Sequence, residues 1–345
     1  MALVGVVGAG SFGSALASTL AYNGQEVILY GRSASVVREI NTAHTNVRYL
    51  PGVVLHDGVR ATTELEKLRA ADTLLLTVPS QALRETGRAL AALRLKPACV
   101  VHAVKGLEQG TGLRMSEVLL SEWSELNPGS LVVVSGPSHA EELSGGLPTT
   151  LVSSAVSRTM AERVQDLLMN DRLRVYTNPD VAGVELGGSL KNIIALGCGI
   201  SDGLAYGDNT RAALMTRGLA EIVRLGVSLG AAPQTFFGLT GVGDLIVTCT
   251  SRHSRNWQAG FRLGKGMSPA DAVAAVGMTV EGISTTRVAV ELARERAISM
   301  PIAEAIASIL AGATPGAVVY DLMRRARTHE VEEYAQEASY GWQDP

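Results

Sequence analysis

Two lysines and an aspartate, each set among small residues, have the types and surroundings for proton chemistry: Lys105, Lys191 and Asp244. Lys105 closes the valine-rich run Cys99–Val104 and precedes Gly106. Lys191 lies in Gly187-Gly188-Ser189-Leu190-Lys191-Asn192-Ile193-Ile194, a helical segment too apolar and small-sided to be a solvated face. A partly buried lysine has a lowered pKa and exchanges a proton readily. That suits carbonyl–alcohol interconversion, in which oxygen needs a proton as hydride arrives at carbon. Taken singly, either lysine also reads as an ordinary solvated cation. Asp244, in Leu239-Thr240-Gly241-Val242-Gly243-Asp244-Leu245, is placed to pair with a lysine and tune it. Thr248–Asn256 reads as a loop entering a helix, with hydroxyls, Ser254, Arg255 and Asn256 at the helix start. This composition suits a phosphate on the substrate, or else a plain N-cap on a surface turn.

A nucleotide site stands at the N-terminus. Leu3–Val7 runs into Gly8-Ala9-Gly10-Ser11-Phe12-Gly13, followed by small residues with helical character. In this strand–turn–helix pattern Gly8 permits the turn and Gly10 lets the backbone approach a pyrophosphate. Gly13 lets the helix pack closely on the strand, and the free N–H groups at the helix start attract the phosphates. NAD-preferring sites usually carry an acid about 20 residues further on, holding the ribose 2′-OH. Here that position reads Tyr30-Gly31-Arg32-Ser33. Guanidinium pairs well with phosphate, so Arg32 points to NADP(H), with NAD(H) use possible; the other reading of Arg32 is a solvated loop residue.

The elements that would position these groups follow from hydrophobic periodicity. Leu3–Val7, Glu26–Tyr30, Thr73–Val78, Cys99–Val104, Leu131–Ser135, Thr150–Val152 and Arg174–Tyr176 read as buried strands separated by helical or loop segments. That alternation predicts a parallel sheet with helices on both faces. Val78-Pro79-Ser80-Gln81, Val104-Lys105-Gly106 and Ser135–Glu141 then fall at the carboxyl edge of the sheet, where ligands bind in such folds. After Asn178-Pro179-Asp180 the character changes. Ser189–Leu196, Thr210–Leu229, Ser268–Val276, Gly282–Arg296, Ile302–Ala311 and Gly316–Arg327 read as helices, with Gly187–Asn192 at the start of the first. The expected fold is therefore α/β: an N-terminal Rossmann doubly wound sheet over residues 1–180 and an all-helical C-terminal domain over 181–340. Gly341–Pro345 reads as a loose end.

Composition narrows the class. The chain has 345 residues, enough for about two domains, and its net charge of −3 argues against a dedicated nucleic-acid binder. Its three cysteines are few, scattered and odd in number, which fits a reducing cytoplasm. The uncharged first 25 residues superficially resemble a signal peptide, but they lack a basic start and their glycines fall at phosphate-binding spacing. Other apolar runs are too short to span a bilayer, so no integral membrane association is expected. Cys249 and His253 have metal-like spacing without a second pair, and no metal is expected. His139 with Glu142, and Arg324–Arg327 with Glu330–Glu333, read as structural or solvated features.

The ordered set Gly-Ala-Gly-Ser-Phe-Gly, Val-Pro-Ser-Gln, Lys-Gly-Leu, Ser-Gly-Pro-Ser-His-Ala-Glu-Glu, Ser-Leu-Lys-Asn, Leu-Thr-Gly-Val-Gly-Asp-Leu, Ser-Arg-Asn and Val-Glu-Gly resembles bacterial-type NAD(P)-dependent glycerol-3-phosphate dehydrogenase over nearly the whole chain. The resemblance implies that Lys191 is the acid/base group for dihydroxyacetone phosphate. It implies that Lys105, Gly136, Ser138, Asp244, Ser254, Arg255 and Asn256 surround the substrate, with Arg255 and Asn256 near its phosphate. Ser11, Phe12, Arg32, Ala140, Thr279 and Glu281 would contact the cofactor, and Lys105 and Arg255 would touch both ligands. The family often has valine where Thr279 stands, a change that main-chain contacts would survive. The resemblance adds substrate binding and dimerisation to the helical domain, and it implies a homodimer supplying glycerol 3-phosphate for phospholipid synthesis. Two other readings remain at this point: a related NADP-dependent reductase of a small 2-oxo or β-hydroxy acid, and a non-catalytic NADP-binding sensor.

Overall fold

The structure, a computed structural model, describes residues 3–326. Among the described residues ten strands form: β1 Leu3–Val7, β2 Glu26–Tyr30, β3 Thr45–Asn46, β4 Leu50–Val54, β5 Val59–Thr62, β6 Thr73–Leu76, β7 Cys99–His102, β8 Leu131–Ser135, β9 Thr149–Ser154 and β10 Leu173–Asn178. Eight of them make one sheet in the order β10-β9-β8-β7-β6-β1-β2-β5. The chain leaves β1 for β2 on one side and crosses over to β6 on the other. The crevice between β1 and β6 is thus the point where strand order reverses.

These strands lack the polar alternation of one-sided sheets because both faces are covered. Val4 and Val6 pack with Leu16 and Leu20 of the Ser11–Tyr22 helix, while Val7 packs with Leu83 and Leu90 of the Leu83–Ala92 helix on the opposite face. The β3–β4 hairpin and edge strand β5 add to the strands read from sequence. Their sequences, Thr-Asn, Leu-Pro-Gly-Val-Val and Val-Arg-Ala-Thr, are too short or too interrupted to show a strand period.

One expectation fails. The sheet is not wholly parallel, because β9 pairs with β8 antiparallel and β10 follows β9 in parallel. The helix joining β8 and β9, Ala140–Ser144, has five residues. At about 1.5 Å per residue it cannot carry the chain back along a strand, so the next strand returns in the opposite sense.

From Val181 onward the described chain is helical. A second correction falls here: the Val181–Gly203 helix starts two turns before Gly187–Asn192. Asp180 is its N-cap, its carboxylate accepting from Gly183 N–H at 2.9 Å. The residue that breaks the preceding strand therefore also starts the helix. This helix is long and apolar enough to cross a membrane by length and composition, yet 89% of that stretch is buried inside the protein, where helices pack around it. It is a core helix. The last helix read from sequence ends earlier than expected, at Met323, and the readings for Arg327, Glu330–Glu333 and Gly341–Pro345 lie outside the described residues.

Gly13 shows how close the first helix lies to the sheet: a Cβ there would sit 1.9 Å from the Gly8 carbonyl oxygen. Gly13→Ala is therefore expected to destabilise the protein by about 2 kcal/mol, as overpacking typically does. A thermal unfolding scan showing an unchanged midpoint would contradict this.

Candidate active site

A cleft of about 1130 Å³ opens along the carboxyl ends of β1, β2, β6 and β7 and is walled on its far side by the helical part. Every site residue expected from sequence lines it except Gly13 and Gly136. Gly13 lies behind the turn. Gly136, with φ +131°, turns its carbonyl to accept from Lys105 at 3.1 Å and from Ser138 Oγ at 3.1 Å.

At its centre Asp244 holds both lysines. Lys105 Nζ donates to Asp244 Oδ2 at 2.7 Å, and Lys191 Nζ donates to Oδ1. Lys191 also donates to Thr248 Oγ1 at 2.6 Å. Lys191 is 5% exposed and Asp244 1%. Burial lowers the Lys191 pKa to about 7, against the upward pull of Asp244 and with help from the neighbouring Lys105 charge. Burial alone would raise Asp244, but the two ammonium groups outweigh it and hold the carboxyl below the ordinary range. A lysine that titrates near neutrality beside an open cleft can give and take a proton.

Local structure explains how these three groups meet. The helix carries Gly187 where a Cβ would lie 2.7 Å from the Thr240 carbonyl oxygen, and Gly188 where one would lie 2.5 Å from Ser135 Oγ. The paired glycines let two segments press against one helical turn. One is the π-helical turn Leu239–Gly243, which delivers Asp244; the other is the end of β8. The segment after Asp244 corrects the sequence reading. Asp244–Thr250 is a helix, so only 251–254 is loop. The helical spacing from Asp244 to Thr248 puts the hydroxyl beside the carboxylate, a signal present in the sequence but unreadable without the helix.

Ser254 caps the Arg255–Gly264 helix, its hydroxyl accepting from Trp257 N–H at 3.2 Å. Arg255 reaches across to donate to Ser11 Oγ at 2.8 Å, at the start of the helix after the glycines. Asn256 donates to Asn192 Oδ1 at 2.9 Å and accepts from Gly282 N–H at 2.8 Å. Glu281 accepts from Ser80 N–H at 3.0 Å and from its hydroxyl at 2.5 Å, tying the loop after β6 to the helical part. Burial raises the Glu281 pKa. Asn192, Ser80 and His139 join the site without having been singled out as ligands. His139 lines the cleft with Nε2 buried and unpartnered, and burial together with the Lys191 charge lowers its pKa.

The glycine turn fits a dinucleotide. Gly8 has φ +119°, which only glycine adopts comfortably. Nothing lies within 4 Å of where a Gly10 Cβ would be, leaving room for a ligand against the backbone. The Ser11–Tyr22 helix has neither a side-chain cap nor an acid in its first turn, so its leading N–H groups face the cleft for an anion. Arg32 and Ser33 line the same cleft at the end of β2.

Comparison with known proteins covers both parts of the chain. Residues 3–161 match the family described as NAD-dependent glycerol-3-phosphate dehydrogenase N-terminus, and 180–320 its C-terminus. A curated relative from Halalkalibacterium halodurans, named glycerol-3-phosphate dehydrogenase [NAD(P)+], is 52% identical over 95% of this chain and 96% of its own. One of the same name from Desulfitobacterium hafniense is 52% identical over 97% of this chain and 95% of its own. The crystal structure of glycerol-3-phosphate dehydrogenase from Coxiella burnetii superposes with TM-score 0.89 at 37% identity, covering 94% of this chain and 99% of that one.

Proposed function

Because the chain belongs to the NAD-dependent glycerol-3-phosphate dehydrogenase family, we propose that its cleft interconverts dihydroxyacetone phosphate and sn-glycerol 3-phosphate with NAD(P)(H), Lys191 serving as general acid and base. The observation that carries the role of Lys191 is its burial beside Asp244 at the cleft wall, with a pKa near neutrality. The glycine turn would hold the pyrophosphate of a nicotinamide cofactor, which would supply the hydride for reduction and take it back in oxidation. Lys191 gives its proton to the carbonyl oxygen as the carbon is reduced, and recovers it from the hydroxyl in the reverse direction. Asp244 keeps that ammonium partly charged, and Thr248 fixes its position. Lys105, shared with the same carboxylate, adds positive charge for the substrate oxygens. Ser254, Arg255 and Asn256 receive the substrate phosphate at a helix start, with Ser138 also lining the cleft and Gly136 behind it orienting Lys105 and Ser138 through its carbonyl. Ser11, Phe12, Ala140, Thr279 and Glu281 hold the cofactor. A reductase of small 2-oxo or β-hydroxy acids is not favoured, since the relatives named for the phosphate substrate match both parts of the chain.

Finer readings are supported as follows. Arg32, in place of the acid that would hold a ribose 2′-OH, supports NADP(H) as the preferred cofactor. The change of character at residue 180, where the Val181–Gly203 helix is capped, supports a cofactor part over 1–180 and a substrate and dimerisation part over 181–340. Three free, buried cysteines fit a reducing cytoplasm. The family resemblance supports a homodimer that makes glycerol 3-phosphate for phospholipid synthesis.

The test is consumption of NADPH and NADH by the purified protein with dihydroxyacetone phosphate, followed by nicotinamide absorbance. Turnover that requires the phosphate ester and runs faster with NADPH is expected, and Arg32→Ala should cut the NADPH preference about tenfold, as loss of one charge-assisted contact does. No turnover despite cofactor binding would overturn the assignment.

A further inference from the structure

We propose that Arg48 is a second cofactor-specificity residue, forming with Arg32 a paired guanidinium site for the 2′-phosphate of the adenosine ribose. The inference rests on the NADP(H) preference proposed above and extends it to a residue from a different element. Arg48 lies in the turn between β3 and β4, and both arginines line the cleft at its β2 end.

The two are held around one residue of the glycine turn. Next to Arg32, Gly31 packs so tightly on Ala9 that a Cβ there would lie 2.7 Å from the Ala9 Cβ. Two residues before Arg48, the buried Asn46 donates to the Ala9 carbonyl at 3.1 Å and to Ser14 Oγ at 2.8 Å. The hairpin is pinned from its other side by Glu39, which accepts from Thr45 Oγ1 at 2.8 Å and from Val47 N–H at 2.7 Å. Arg48 is therefore carried on an anchored turn. Its guanidinium lies 5.2 Å from the Tyr49 ring centroid, which restrains the side chain along the cleft wall.

Charge completes the argument. Both arginines are exposed, and among the described residues no carboxylate pairs with either. Glu39, the acid bonded to the hairpin, is already engaged by Thr45 and Val47. Two unneutralised guanidinium groups flanking one turn, where a ribose-binding acid would otherwise stand, match a phosphate monoester better than a diol.

The test is calorimetric binding of NADPH, NADH, 2′-AMP and 5′-AMP to the full chain and to its Arg48→Ala and Arg32→Ala variants. Arg48→Ala should weaken NADPH and 2′-AMP about tenfold and leave NADH and 5′-AMP within about twofold. Unchanged NADH binding also shows that the exposed substitution leaves the fold intact. Loss of NADPH affinity in Arg32→Ala but not in Arg48→Ala would overturn the role of Arg48 while leaving the cofactor preference standing. Equal weakening of NADPH and NADH by Arg48→Ala would make it a general contact and overturn the specificity role. Wild-type protein binding NADH as tightly as NADPH would remove the preference itself, and this inference with it.

Discussion

Replacing Lys191 with alanine is expected to lower kcat by about a thousandfold, within the range by which positioned acid–base groups accelerate proton transfer, while the Kd for NADPH changes less than about twofold. The cofactor turn is built from β1 and the first helix, neither of which carries Lys191, and Asp244 keeps Lys105 as a counter-charge when Lys191 is removed. The variant should therefore fold and bind. The pH profile supplies an independent check. The ammonium form donates during reduction, so reductive kcat/KM should fall as pH rises through about 7, and the oxidative direction should rise over the same interval. In a Lys191→Arg variant the guanidinium would stay charged at all accessible pH and could not accept a proton, so the oxidative rise should vanish. Full activity in Lys191→Ala would end the assignment.

Asp244→Asn should have the second largest effect, and on more than one observable. Without the carboxylate, two ammonium groups face one another in a buried site, and removing one partner of such a cluster typically costs about 3–5 kcal/mol. A clear drop in melting temperature is expected. Asp244 raises the pKa of Lys191, so its loss should move the reductive pH limb below 7 and depress reduction at neutral pH more than oxidation. Each unit of that displacement corresponds to about 1.4 kcal/mol. Acid stability follows the same logic. The native pKa of Asp244 is below its unfolded value, so its contribution is present above the ordinary carboxylate range and is lost as pH falls through the depressed native value. The asparagine variant lacks that acid-sensitive term. Unchanged pH limbs, with only stability lost, would make Asp244 purely structural and refute its role in tuning Lys191.

Much of this protein is written locally. The glycine turn, the valine-rich strands and the Ser268-Pro269 helix start depend on residue types within a few positions, so period and turn chemistry are enough to find them. The absence of an acid after β2 is equally local, and with it the pointer to NADP(H). Those signals are legible because each element would be favoured by its own sequence before anything packs against it.

Other features have no local signature. An apolar run does not encode its direction, so the reversal at β9 came from the short connection after β8 and not from the strand itself. The β3–β4 hairpin holds its place through Asn46, which reaches out to Ala9 and Ser14, and through Glu39 of the preceding helix, which accepts from Thr45 and Val47. Most of all, Asp244 lies 53 residues from Lys191 and 139 from Lys105, and the sequence by itself placed Asp244 to pair with a lysine without showing which, or that it would hold both. Only the packing of the Val181–Gly203 helix against the Leu239–Gly243 turn and the end of β8, permitted where Gly187 and Gly188 lack side chains, brought both ammonium groups to one carboxylate. Burial then set the proton affinity of Lys191, and burial is a property of the assembled fold.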